Sequence, residues 1–219
     1  MSKPLIIAGA RVFDGEFWFE NAVLEIVDGK VVSLTTAEVA PTGDDVLDLS
    51  GQLIVPGFID LQVNGGGGVL LNEDQSVEGI AAICAAHAKF GTTALLPTLI
   101  TDRPDIVSRT LEAGREAKLK NVPGYLGLHL EGPHLSIAKK GAHDPSLIRE
   151  MTDKDANELI AAKRYMDVLL TTVAPENVSK SLVSKLSEAG ITVSLGHTEA
   201  SRRAYGDAPV QRNGAIWSS

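Results

Sequence analysis

A single cysteine, Cys84, is the only thiol in this 219-residue chain, which excludes an internal disulfide. Within Ile83-Cys84-Ala85-Ala86 it reads as helix packing rather than as a nucleophile. Positive charge is also short, with 20 Lys and Arg against 28 Asp and Glu for a net charge of -8, and no basic patch argues for nucleic acid. That balance still permits a small anionic substrate, since a few local cations can bind a phosphate against the net field. No signal peptide and no membrane-spanning run is visible, so the expected compartment is the cytoplasm. No Gly-x-Gly-x-x-Gly follows a strand at the start of a βαβ unit, and no phosphate-binding lysine follows a glycine-rich loop, so nucleotide-binding folds gain no support. The length, finally, falls short of the roughly 250 residues typical of a complete eight-stranded α/β barrel.

What is present is globular, with 44% apolar residues. Residues 1–52 read as all-β: Leu5 to Phe13, Ala22 to Val27, Lys30 to Leu34 and Val46 to Leu49, with turns at Asp14-Gly15 and Asp28-Gly29. They predict a small N-terminal sheet or β-sandwich portion that buries little core by itself. From Leu53 the pattern alternates strand and helix. Strands are expected at Leu53 to Val55 with Phe58 to Leu61, at Thr93 to Thr98, Tyr125 to Leu130, Val168 to Val173 and Ile191 to Leu195. Helices are expected over Ser76 to Phe90, Asp105 to Leu119, Asp153 to Lys163 and Val178 to Glu188. Strands apolar throughout need helices on their outer faces, which favours a parallel sheet. The predicted class is α/β: five strand-helix units of a (β/α)8 TIM-like barrel over residues 53–200. Residues 201–219 break the rhythm, with Arg202, Arg203, Gly206 and Pro209 interrupting the next helix.

The chemistry collects where strands end, which in a barrel is the active rim. Glu131 closes Gly127-Leu128-His129-Leu130-Glu131-Gly132-Pro133, and His197 closes Ser194-Leu195-Gly196-His197. A histidine and a carboxylate are two ligands of the kind that zinc or a similar divalent ion takes in hydrolases, although a third is not evident from the pattern. Gln62 and Asn64, two apart in extended chain, can present amides to a water or ligand, or simply close a strand before the loop Gly65 to Gly68. His143 can reach over the site, whereas Lys139 and Lys140 read as a solvated turn. His129 and His134 suit core or supporting roles, and His87 suits packing or surface. Asp60 reads as an acceptor orienting the rim, and Glu176 as a helix-start charge first and a site residue second.

Taken in order, Pro56-Gly57-Phe58-Ile59-Asp60-Leu61-Gln62-Val63-Asn64-Gly65, Thr92-Thr93 through Pro97-Thr98-Leu99, Leu128 to Pro133, Lys140-Gly141-Ala142-His143, Ala174-Pro175-Glu176 and Gly196-His197-Thr198 resemble the N-acetylglucosamine-6-phosphate deacetylase family of the amidohydrolase superfamily. The resemblance spans roughly residues 5 to 200. It implies that Glu131 and His197 are metal ligands, that Ala142 and His143 contact the sugar, and that Gln62 and Asn64 stand where most amidohydrolases place a His-x-His metal pair. It implies one divalent ion (Zn, or Fe, Co, Mn or Ni), an amino-sugar phosphate substrate in amino-sugar catabolism, and a homo-oligomer without nucleic-acid or membrane partners. The implied reaction is metal-assisted attack of water on the acetyl group, giving glucosamine 6-phosphate and acetate. The family pattern further requires a histidine ligand after the sixth strand, in a Thr-His-Leu-x-Asn-Ala-Met run, and a proton-transferring aspartate after the eighth. Neither occurs in these 219 residues, so no catalytic residue is assigned and the polypeptide is expected to be inactive alone. Residues after about Ser201 depart from the family as a frameshifted or foreign tail would, and a half-built barrel is expected to be poorly soluble or to self-associate. The competing readings are another amidohydrolase of the dihydroorotase or imidazolone type, which Gln62-x-Asn64 disfavours, and a non-catalytic sugar-phosphate-binding pseudoenzyme.

Overall fold

Contacts within the chain divide it into two compact units, Met1–Gly57 and Phe58–Ser219. The structure is a computed structural model that describes residues 3–200 and the backbone of 215–217. The first unit is one five-stranded sheet. Its strands are β1 (Leu5–Phe13), β2 (Trp18–Val27), β3 (Lys30–Thr36), β4 (Val46–Asp48) and β5 (Leu53–Ile54), in the order β3-β2-β1-β4 with β5 also on β1. Ala8, Ala10 and Val12 are buried at the period of two, past a register break at Gly9, and Ala10 and Val12 pack with Ala22 and Leu24 of β2. Asp28 and Gly29, both at positive φ, close the β2-β3 hairpin in the manner of the turns that suit strand twist. Leu53–Ile54, read from sequence with the barrel, pairs instead with β1; two residues before Pro56-Gly57 are too few to start a buried strand.

The second unit begins with β6 (Phe58–Val63), followed by the short hairpin β7 (Gly65–Gly66) and β8 (Val69–Leu70). It continues as α1 (Val77–Ala88), β9 (Thr92–Ile100), α2 (Pro104–Leu119), β10 (Gly127–Glu131), α3 (Asp153–Lys163), β11 (Val168–Val173), α4 (Lys180–Glu188), β12 (Thr192–Leu195) and β13 (Ala215–Trp217). The order β13-β12-β11-β10-β9-β6 is sequential and every pairing is parallel, as in consecutive strands of a barrel. The sheet thus has six strands where five were expected, because the last residues hold a short strand that the sequence reading missed. Apart from 215–217, the reading of residues 201–219 as an aberrant tail lies outside the described residues.

Helix ends follow local chemistry. Ser76 caps α1 by accepting the Gly79 amide, Thr152 forms a capping box with Asp155 at α3, and Ser179 caps α4 through Leu182. One contiguous core, including Ile80, Ile83, Leu95, Leu128, Leu169, Val173 and Leu186, lies between the helices and the sheet. Cys84 is buried in it with its thiol pushed up to about 11 by desolvation, which agrees with a packing role. No helix of the described residues is long and apolar enough to cross a membrane.

Candidate metal centre

All five residues of β10 are buried, and the strand delivers Glu131 to the sheet's C-terminal rim at 7% exposure. A carboxylate so buried requires partners. Gln62, from the end of β6, donates its amide to Glu131 Oε2 at 3.1 Å. On the other oxygen, His197 Nε2 lies 2.9 Å from Oε1. His197 follows β12 with φ +51, a left-handed conformation uncommon for a residue with a Cβ and costing about 1 kcal/mol. Three contacts hold it there: its carbonyl accepts the Ser136 amide, its Nδ1 donates to the Lys139 carbonyl at 2.9 Å, and the Gly196 amide before it donates to Val173.

The Lys139 carbonyl can only accept, so the Nδ1 proton of His197 is committed to it. In the neutral ring Nε2 then carries a lone pair, and that lone pair faces a carboxylate oxygen at 2.9 Å. Two acceptors do not sit so close without a cation or a proton between them. The separation is well inside the reach of two metal-ligand bonds of roughly 2.1 Å each. The nitrogen and oxygen donors therefore fit a divalent ion of the borderline class. His143 is the third group: donor atoms of Glu131, His143 and His197 all lie within 4.8 Å of one another. Its ring stands edge-on to that of His197, with centroids 4.8 Å apart. No third donor was evident from the sequence pattern, because His143 comes from a loop 12 positions after Glu131 and only folding brings it back.

The other sequence candidates divide. Asn64 lies one residue beyond β6, exposed, with its carbonyl accepting the Leu71 amide. Ala142 is exposed beside His143. Asp60 accepts the Gln62 amide at 3.1 Å, as an orienting acceptor should. His129, one layer below Glu131, is buried with Nε2 2.8 Å from the Thr172 hydroxyl and Nδ1 3.4 Å from that of Thr98. Desolvation pulls it down to about 4, so it stays neutral beneath the site. His134 is buried on the Arg149 carbonyl. His87, expected as packing or surface, holds the Gly65 carbonyl at 3.0 Å, and a Cβ on Gly66 would stand 2.9 Å from its ring. Glu176 is not a helix-start charge: α4 begins at Lys180, and Glu176 instead accepts the Thr198 hydroxyl and the Glu199 amide just after His197. Burial pushes its carboxyl upward, yet those hydrogen bonds outweigh burial and leave it below its ordinary value. Thr101, Thr172 and the Lys139 carbonyl were not singled out from sequence. A polar residue directly after an apolar strand marks Thr101, but a backbone carbonyl leaves no trace in sequence.

Comparison with known proteins adds three findings. The model of the amidohydrolase family matches residues 53–207. Among curated relatives, the N-acetylgalactosamine-6-phosphate deacetylase of Shewanella sp. is 39% identical over 198 residues, covering 90% of this chain and 50% of that protein. The N-acetylglucosamine-6-phosphate deacetylase of Haemophilus influenzae is 37% identical over 176 residues, covering 80% and 46%. The chain spans about half the length of the curated relatives it matches. Among solved structures, N-acetylglucosamine-6-phosphate deacetylase from Pasteurella multocida aligns with a TM-score of 0.83 at 32% identity, covering 90% of this chain and 52% of that one.

Proposed function

The chain belongs to the amidohydrolase family, and from that premise we propose that its rim is part of the divalent-metal centre of a deacetylase acting on N-acetylglucosamine 6-phosphate, with glucosamine 6-phosphate and acetate as products. The observation that carries this reading is His197 Nε2 set 2.9 Å from Glu131 Oε1, with a backbone carbonyl on the opposite ring nitrogen. Glu131 and His197 hold the ion, and Gln62 steadies the second carboxylate oxygen. The chemistry a bound divalent ion supplies is polarisation of an acyl oxygen and acidification of water. Ala142 and His143 contact the sugar, and the low exposure of Glu131 and His143 keeps bulk water from that space. A cytoplasmic location accompanies this reading.

The histidine and aspartate that the family resemblance implies after the sixth and eighth strands are not among these 219 residues, so the polypeptide alone is proposed to bind metal more weakly than a three-ligand site and to turn over no substrate. Titration with Zn(II) is expected to show one site, abolished in Glu131→Ala. Zinc binding unchanged by that substitution would overturn the metal assignment, and metal-dependent acetate release by the pure polypeptide would overturn the inactivity.

A second substrate reading has a specific observation in its favour: the Shewanella relative, at 39% identity, is named for the galactosamine epimer. Saturation binding of both 6-phosphates to the zinc-loaded protein separates the two, and binding of either sugar phosphate with Glu131→Ala intact in affinity would favour the pseudoenzyme.

A further inference from the structure

The three clustered groups do not present equivalent atoms. The Lys139 carbonyl fixes His197 with a proton on Nδ1 and with Nε2 turned toward Glu131. His143 receives the opposite instruction. The Thr101 backbone N–H, which can only donate, points at His143 Nδ1 at 3.3 Å, and the Thr101 hydroxyl lies 2.7 Å from the same nitrogen. Nδ1 is therefore the acceptor, and the proton of the neutral ring sits on Nε2, 3.8 Å from Glu131 Oε2.

The surroundings are built for this contact. Thr101 and His143 are both almost fully buried, at 6% and 4% exposure. Gly132, at φ +87, leaves the room: a Cβ there would stand 2.2 Å from the Thr101 hydroxyl. One residue earlier, the Asn72 side chain accepts the Ile100 amide and donates to the Ile100 carbonyl, both at 3.2 Å, and donates to Asp102 at 2.8 Å. The end of β9 is thus clamped on both sides of Thr101.

We propose that Thr101 is a positioning residue that holds His143 in the Nε2–H tautomer, so that an N–H rather than a lone pair faces the metal centre. The inference rests on the metal site proposed above and concerns Thr101, to which that reading gives no role.

The test is two-bond 15N–1H correlation of the histidine rings in the 15N-labelled 219-residue protein, with His143→Gln and His197→Gln assigning the signals. Without metal, His143 is expected to show a single pattern with the proton on Nε2; a proton on Nδ1 overturns the proposal. In Thr101→Val the pattern is expected to become a mixture of tautomers, and Thr101→Ser is expected to restore it; an unchanged pattern in Thr101→Val overturns the role of the hydroxyl. On adding Zn(II), the Nε2 signal of His197 is expected to move and that of His143 to stay, and a zinc shift at His143 Nε2 overturns the proposal. If neither histidine responds to zinc, the metal reading fails, while the metal-free tautomer still decides the part played by Thr101.

Discussion

In the N-terminal sheet the core is four apolar side chains, Ala10, Val12, Ala22 and Leu24, whereas the barrel unit buries Thr98, Thr101, His129, Glu131, His143, Thr172 and Ser194 beside its leucines. Every buried polar or charged residue among the described residues belongs to the second unit. Polar burial costs free energy unless each group is hydrogen-bonded, so a unit that carries so much of it has a use for it. The polar residues cluster at the ends of β9, β10 and β11 and just past β12, where neighbouring strands bring them together. The first unit has no comparable polar interior among its described residues, while large apolar side chains stand exposed in both units, Trp18 and Val31 in the first and Phe58 and Phe90 in the second.

The sharpest way to break the comparison is to force a methyl into each unit. A Cβ at Gly127, at φ +156, would stand 1.8 Å from the Val168 carbonyl oxygen, so β10 and β11 must separate. Gly127→Ala is expected to cost more than about 4 kcal/mol and to release amide-exchange protection across β10 and β11. Gly9, at φ +83, would meet the Ser50 hydroxyl at 2.2 Å, and a hydroxyl can rotate away. Gly9→Ala is expected to cost about 2 kcal/mol, mostly backbone strain, with exchange confined to β1, β4 and β5. Equal losses in the two variants would show that the barrel strands are less tightly held than their burial indicates.

Acid is the second probe. All five histidines lie beyond residue 57, and His129, on the Thr172 hydroxyl, has its pKa held down to about 4 by desolvation. Between that value and the ordinary 6.5 the unfolded chain binds a proton that the folded one does not. Stability from this group is therefore complete above about pH 6.5 and is lost as pH falls toward 4, by roughly 3 kcal/mol in all. His134 and His143, also lowered by burial, add loss in the same direction. In the first unit the lowered groups are carboxylates: Asp14, through the Phe17 and Glu16 amides, and Asp48, through the Ser50 hydroxyl and amide. Their stabilisation is lost only as pH falls below the ordinary carboxylate range. Exchange measured between pH 7 and 4.5 should thus loosen residues 58–195 before residues 5–54. His129→Gln should flatten the barrel's slope, and a slope unchanged by that variant would place the acid sensitivity elsewhere.

Much of this was legible in sequence, for reasons that differ between elements. Helix α3 runs over Asp153–Lys163 as expected because Thr152 and Asp155 mark its start locally. Strand β11 matches Val168–Val173 because six apolar or β-branched residues lie between clear breaks. Glu131 and His197 were legible as strand-end residues, and their meeting at 2.9 Å follows from parallel strands delivering both to one rim. The proximity of His143 was not legible, since a loop decides it, nor were the tautomers, which depend on the Lys139 carbonyl and the Thr101 amide. Strand β13 escaped because three residues, Ala215–Trp217, are too short for periodicity and gain strand character only by pairing with β12. Glu176 was misplaced because a charge near a helix start looks the same whether it serves the helix or, as here, Thr198.

The smallest expected effect tests how local the barrel's helix ends are. Thr152 accepts the Asp155 amide at 3.4 Å and donates its hydroxyl to Asp155 Oδ2 at 2.6 Å, while the Thr152 amide donates to the same oxygen at 2.8 Å. Thr152→Ala removes the first two contacts and keeps the third. Asp155 also stays paired, because Arg149 grips both of its oxygens at 2.6 and 2.7 Å and, as the leading cause, holds its carboxyl well below the usual range. The loss should therefore be about 1 kcal/mol, with faster exchange in the first turn of α3 and none in the N-terminal sheet. Asp155→Asn should cost more, since it leaves the half-buried Arg149 without its counter-charge and disturbs the segment whose carbonyl holds His134. If Thr152→Ala were instead the more damaging of the two, the capping box rather than the Arg149 pair would be what ties α3 to the loop after β10.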